Sequence, residues 1–99
     1  MTDIVYELNG VPFVWDRRKA RENARLHDGV TFERAVEVFF DPFLRIADAS
    51  RNDEHRHKVI GYDASNRMLV VIHVECKNEA IRIISAWPAT PVEREIYDS

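Results

Sequence analysis

The sequence predicts an α+β domain: two N-terminal helices packed on one face of a mostly antiparallel sheet, four-stranded or slightly larger, with a short helix at the C-terminus. Three observations carry that prediction. Apolar residues recur at helical spacing before Pro42, they shift to strand spacing after it, and helices and strands are therefore segregated along the chain rather than alternating. The run Met68-Leu69-Val70-Val71-Ile72 is apolar on both faces, as in a central strand covered on both sides.

The elements follow in order. Ile4 to Leu8 and Pro12 to Trp15 read as short extended pieces around an Asn9-Gly10 turn. Asp16 is suited to cap a polar helix from Arg17 to about Leu26, with Ala20 and Ala24 on its thin apolar stripe and Gly29 stopping it. Thr31 caps a second helix, in which Phe32, Ala35, Val36 and Phe39 fall at i, i+3, i+4 and i+7. Asp41-Pro42 ends it, because a residue before proline avoids the α region. Strands are expected at Phe43–Ala47, His57–Tyr62, Met68–Glu75 and Ala80–Ala86. Asp63-Ala64-Ser65-Asn66 and Lys77-Asn78-Glu79 supply tight connections. Ile81 and Ile83 flank Arg82, so the arginine lies on the face opposite the isoleucines. Thr90-Pro91-Val92-Glu93 combines a cap, a proline at the first helical position and a capping-box glutamate, and the last helix runs to about Tyr97.

Ninety-nine residues fit one domain, 1–99, with a modest stability margin. The single cysteine, Cys76, excludes an intramolecular disulfide and a thiolate metal cluster, which suits a reducing cytoplasm. No apolar run is long enough to span a bilayer, and Met1-Thr2-Asp3-Ile4 does not resemble a signal peptide. A net charge of −3 argues against indiscriminate binding of nucleic acid. The positive charge is bunched, however: Arg17, Arg18, Lys19, Arg21 and Arg25 form one group, and Arg51, Arg56 and Lys58, with His55 and His57, form another. An acidic average can conceal a basic face.

A set of residues at ordered spacings now acquires meaning. Trp15-Asp16-Arg17-Arg18-Lys19, Asn23, His27, Gly29-Val30-Thr31-Phe32 and Phe40-Asp41-Pro42 resemble the opening of the BrnT toxin family. Glu54, Arg56 and Gly61 match its next segment, and Ile81-Arg82-Ile83-Ile84-Ser85-Ala86, Ala89-Thr90, Glu93-Arg94 and Tyr97 its ending. The resemblance implies a RelE-like ribonuclease fold and a toxin of a type II toxin–antitoxin system, slowing translation and growth by cutting RNA. It implies a BrnA-type antitoxin partner with a ribbon-helix-helix domain, and contact with operator DNA only through that partner. Two departures stand out. Leu26-His27-Asp28-Gly29 replaces the family's usual Lys-His-Gly, and Trp87, followed by Pro88, stands where relatives carry an arginine.

Metal-independent RNA cleavage uses the RNA's own 2′-hydroxyl as nucleophile. It needs a base, an acid for the leaving 5′-oxygen and cations around the phosphorane. Arg82, Arg56 and Lys19 are the candidate cations and His27 the candidate proton-transfer residue. His57, His73 and Glu75 are further candidate proton-transfer groups. Arg17, Arg18, Trp87 and Tyr97 are candidate RNA contacts. Each has a plainer alternative. Lys19 can be a solvated helix charge, Arg56 an edge-strand charge that blocks aggregation, and His27 a helix C-terminal residue. His73 can be a packed core histidine, Trp15 a core anchor and Tyr97 a fastening for the last helix. No cofactor is called for. His55 and His57 beside Asp53 and Glu54 read as a polar loop rather than a metal site, without a cysteine pair or His-Glu-x-x-His pattern. Two functions remain: a metal-independent endoribonuclease toxin, or a toxin-like binding module that has lost cleavage and serves as partner and co-repressor of a DNA-binding antitoxin. The first expects Arg82, Arg56 and Lys19 to converge on one open cationic patch.

Overall fold

The computed structural model describes residues 2–50 and 54–99; Arg51 and Asp53 lie outside the described residues. Among these are six strands, three α-helices and one 3-10 turn. In chain order they are β1 (Asp3–Leu8), β2 (Val11–Asp16), α1 (Arg17–Leu26), α2 (Phe32–Glu37), a 3-10 turn at Val38–Phe40, β3 (Arg45–Asp48), β4 (His57–Tyr62), β5 (Met68–Glu75), β6 (Ile81–Pro88) and α3 (Pro91–Asp98). The fold is α+β, as expected, and consistent with the RelE-like arrangement.

The sheet has the order β1-β2-β6-β5-β4-β3. Every neighbour pair is antiparallel except β2 and β6, which run parallel through Phe13↔Ile81 and Val14↔Arg82. The two N-terminal extended pieces are therefore strands of the same sheet. Asn9 and Gly10 both hold positive φ, 53° and 80°, the conformation that a two-residue hairpin of right-handed twist demands. The second helix is shorter than its periodicity suggests, because the last turn tightens to 3-10 before Asp41. Pro42 and Phe43 form a turn, closed by the Leu44 N–H to the Asp41 carbonyl at 3.1 Å, so β3 starts only at Arg45; the Phe43 N–H is donated to the Asp41 carboxylate at 2.9 Å. At the other end, β6 runs two residues past Ala86 before Thr90 caps α3.

One face of the sheet is covered by α1, α2 and the 3-10 turn. Phe13 and Trp15 from β2, Ile83 and Ala86 from β6, Leu69 and Val71 from β5 and Val59 from β4 form one buried cluster with Val30, Phe32, Ala35, Val36 and Val38. Trp15 is fully buried and stacks edge-on against Phe32, as its core-anchor reading requires. The other face is covered at one end only, where Ile60, Met68 and Val70 pack with Trp87, Ala89 and Tyr97. Burial of roughly 1.5–3 kcal/mol per large apolar side chain makes the first cluster the main source of stability.

Two details fix how these layers meet. Gly61 faces Asp41 and Val38 so closely that an added Cβ would lie 3.0 Å from Val38 Cγ1 and 3.1 Å from Asp41 Oδ2. A larger residue there would oblige the Val38 and Asp41 side chains to give way by a few tenths of an ångström. The Asp41 carboxylate also accepts from the Tyr62 N–H at 2.9 Å and the Tyr97 hydroxyl at 2.8 Å. One side chain thus ties the end of α2, β4 and α3 together. Among the described residues, no helix is long and apolar enough to cross a membrane.

Candidate nucleic-acid interface

The construction of this region begins with a mismatch between β2 and β6. β2 pairs with only the first two residues of β6, which leaves the later backbone of β6 in need of partners. The side chain of Asn23 provides them. Its Nδ2 donates to the Ala86 carbonyl at 2.8 Å and to Val30 at 3.1 Å, and its Oδ1 accepts the Ala86 N–H at 3.0 Å. Asn23 is buried in the middle of the alanine stripe of α1. The amide acts as a one-residue substitute for a neighbouring strand and lays α1 along β6. A polar residue between Ala20 and Ala24, on the apolar stripe of α1, is the sequence signal for this role.

A bulge in β6 then sets the directions of its side chains. Ile72 pairs with Ser85 and His73 with Ile83, so Ile84 is the extra residue. The bulge keeps Arg82, Ser85 and Trp87 on the face opposite α1 and α2, although simple alternation would separate Arg82 from Ser85.

Arg82 occupies the open part of that face. Its two terminal nitrogens donate to both carboxylate oxygens of Asp3, at 2.7 and 3.4 Å, and the pair is about one-third exposed. The hydrogen bond from Arg82 holds the Asp3 carboxyl below its ordinary pKa, and Asp3 raises that of Arg82 in return. Asp3 is the register partner of Asp16, and next to it Thr2 accepts the Arg17 N–H at 3.1 Å. Thr2 and Asp16 line a shallow depression with Arg17, Arg18 and Arg21. The basic start of α1 and Arg82 are therefore linked through residues 2, 3 and 16. Lys19 donates its backbone N–H to the Asp16 carboxylate at 2.9 Å, which makes Asp16 the N-cap, and its side chain is exposed.

Toward the far end of β6, Trp87 joins two more candidates. On one side its ring lies 6.0 Å from that of His27, the C-cap residue of α1, and the two line a depression with Leu26, Asp28 and Pro88. On the other side Trp87 borders a depression with Arg56, Ala49, Ile72, Ile84 and Ser85. The indole Nε1 donates to Glu93, at 3.2 Å to the nearer oxygen. Arg56 Nε donates to Glu54 Oε1 at 2.7 Å. Arg56 immediately precedes β4, an interior strand, so it does not guard a sheet edge.

The structure thus groups His27, Trp87 and Arg56 at one end of β6. It places Arg82 on the same face with the Arg17–Arg18 group beyond it, and Lys19 outward on α1. Tyr97 hydrogen-bonds Asp41 and meets Tyr62 edge-on at 5.4 Å. Burial, together with that bond, pushes its hydroxyl pKa up to about 12. Its contacts are those of a fastening for α3.

His73 sits on the other face, where its ring meets Phe39 at 4.9 Å and His57 at 5.4 Å. Burial, aided by His57, lowers its pKa to about 4. It is a packed histidine, away from Arg82.

Comparison with known proteins agrees with this picture at the level of family. The family model described as "Ribonuclease toxin, BrnT, of type II toxin-antitoxin system" matches residues 15–93. No curated protein matches the chain. The matched stretch begins at Trp15 and contains α1, α2, the sheet from β3 to β6 and the start of α3.

Proposed function

The chain belongs to the family of BrnT ribonuclease toxins of type II toxin–antitoxin systems, and from that premise we propose that it is a metal-independent endoribonuclease working on the open face of its sheet. The observation that carries this reading is the position of Trp87 at one end of β6, where it meets His27 on one side and borders Arg56 on the other, with the guanidinium of Arg82 on the same sheet face.

In the proposed reaction the 2′-hydroxyl attacks the adjacent phosphorus. The 2′-oxygen–phosphorus bond forms and the bond from phosphorus to the 5′-oxygen breaks, leaving a 2′,3′-cyclic phosphate and a 5′-hydroxyl. His27 takes the proton from the 2′-hydroxyl, and water gives one to the leaving 5′-oxygen. Arg56 and Arg82 meet the negative charge of the phosphorane, for which a planar, two-pronged donor is suited. Trp87 offers an aromatic surface to a base, and Arg17, Arg18 and Lys19 attract the flanking phosphates. The partner is an antitoxin of the ribbon-helix-helix, BrnA type. It covers this face, touches operator DNA itself, and keeps the toxin inactive in the cytoplasm.

A second reading is kept by one observation: Arg82 and Arg56 both already hold carboxylates, Asp3 and Glu54. Under it, the chain is a binding module that has lost cleavage and acts as co-repressor with its antitoxin. The test is incubation of the purified chain with RNA in a strong chelator. Fragments ending in 2′,3′-cyclic phosphate, lost in His27→Ala and Arg56→Ala variants that remain folded, are expected. Intact RNA, with growth unaffected when the chain is induced alone, would leave the binding module.

A further inference from the structure

On the helix-covered face, β4 and β5 bring together three groups that the RNA chemistry does not use. His57 and His73 are direct register partners in the antiparallel pair, and Glu75 follows His73 on the same face, two residues along the strand. One donor atom from each of the three lies within 4.8 Å of the others. His73 is only 4 % exposed. The Nδ1 atoms of both His57 and His73 are buried without a hydrogen-bond partner. A buried imidazole nitrogen with nothing to bond is uncommon, and calls for an occupant.

From this geometry we infer that His57, His73 and Glu75 form a binding site for a divalent transition metal, with zinc as the best-suited ion. Two imidazoles and a carboxylate are a donor set that zinc accepts, with water as a fourth ligand. Around a tetrahedral ion with bonds of about 2.0–2.1 Å, donor atoms lie roughly 3.3 Å apart. The three groups therefore need only close in modestly, by rotation of the exposed Glu75 side chain and the half-buried His57. Hard cations such as magnesium prefer oxygen ligands and keep their water, so they are excluded by the same donor set. The site lies on the face opposite Arg82, so it braces β4 against β5 beneath Phe39 and stands apart from the RNA reaction. His55, singled out with His57 by their spacing, is no part of it: the second imidazole comes from the neighbouring strand instead.

The test uses the whole chain after chelator treatment and zinc chloride as probe, read by calorimetric titration and thermal unfolding. One equivalent of zinc should bind and raise the melting temperature, and magnesium should leave it unchanged. His57→Gln and Glu75→Gln should each weaken zinc binding more than about 100-fold, beyond the roughly 10- to 100-fold that loss of an outer-shell partner brings. The His55→Gln variant should bind as the parent does. Both informative substitutions fall on side chains reached by solvent, so they leave the core intact, and circular dichroism checks this. Absence of zinc binding at millimolar concentration, or equal binding by the His57→Gln variant, would overturn the inference.

Discussion

Replacing Asp3 separates two roles open to Arg82. The guanidinium grips Asp3 with both terminal nitrogens, so it either fastens β1 to β6 or stands ready for phosphate. Arg82→Ala and Asp3→Asn break the same ion pair, yet only the first removes the cation. The pair is 34 % and 39 % exposed at its two side chains, and ion pairs so open to water contribute little to stability. Both variants should therefore fold, with melting temperatures close to the parent. In the Asp3→Asn variant the arginine is released from its competitor. RNA binding should then stay constant or tighten by no more than about fivefold. In Arg82→Ala a donor to the developing phosphorane charge is gone, and the cleavage rate should fall about 100- to 1,000-fold. Arg82→Lys should recover little, since a point charge cannot reproduce a two-pronged contact. Single-turnover cleavage of a labelled RNA, with circular dichroism on each variant, reads both effects. Parallel losses in Asp3→Asn and Arg82→Ala would show a fastening and refute the phosphate role, as would full activity in a folded Arg82→Ala variant.

Asn23→Leu should be among the most damaging substitutions in α1. It deletes three hydrogen bonds to Val30 and Ala86 at about 1 kcal/mol each, which in a domain of this size lowers the melting temperature by more than about 10 °C; an unchanged melt would contradict the account of how α1 is held. Acid should loosen the junction at Asp41. Burial works to raise the pKa of this carboxyl, but the N–H groups of Tyr62 and Phe43 and the Tyr97 hydroxyl outweigh it and leave it below 3.8. A pKa depressed in the folded state contributes stability above the unfolded value, and that contribution is lost as pH falls below about 4 through the folded value. Tyr97→Phe withdraws one donor and should move the acid-unfolding midpoint, followed by tryptophan fluorescence, to higher pH; an unmoved midpoint would exclude the Asp41 bond as a source of acid stability.

Much of this fold was legible in the chain because its signals are local. The caps at Asp16 and Thr31, the box at Thr90 and Glu93 and the apolar run of β5 stand where periodicity and cap chemistry put them. The face of Arg82 also followed from its isoleucine neighbours. What escaped the sequence are relations between distant residues. The parallel meeting of β2 and β6, the register that stacks His57 on His73, and the pairing of Arg82 with Asp3 have no neighbourhood signature. The bulge at Ile84 is equally silent: it shifts the alternation of β6 by one residue, but two adjacent isoleucines do not say which of them is the extra one. For the same reason the approach of His27 to Trp87 could not be read: both residues were singled out separately, but only the packing of α1 along β6 brings them together. Asn23 shows the opposite failure, a polar residue on a buried stripe whose meaning was available locally.

The parallel junction of β2 with β6 has a bearing on how the protein comes into being. Phe13 and Val14 wait for partners at Ile81 and Arg82, which leave the ribosome only after β3, β4 and β5. Until then the first hairpin has neither its sheet neighbour nor the Ile83–Ala86 part of its core. Contacts of such long sequence separation are paid for in chain entropy before they return anything, so they form late. The nascent chain consequently has no completed sheet until β6 has emerged. A product ending before β6 lacks Arg82, Trp87 and the Ala86 backbone that holds Asn23, so neither the sheet nor the seat of α1 can form in it.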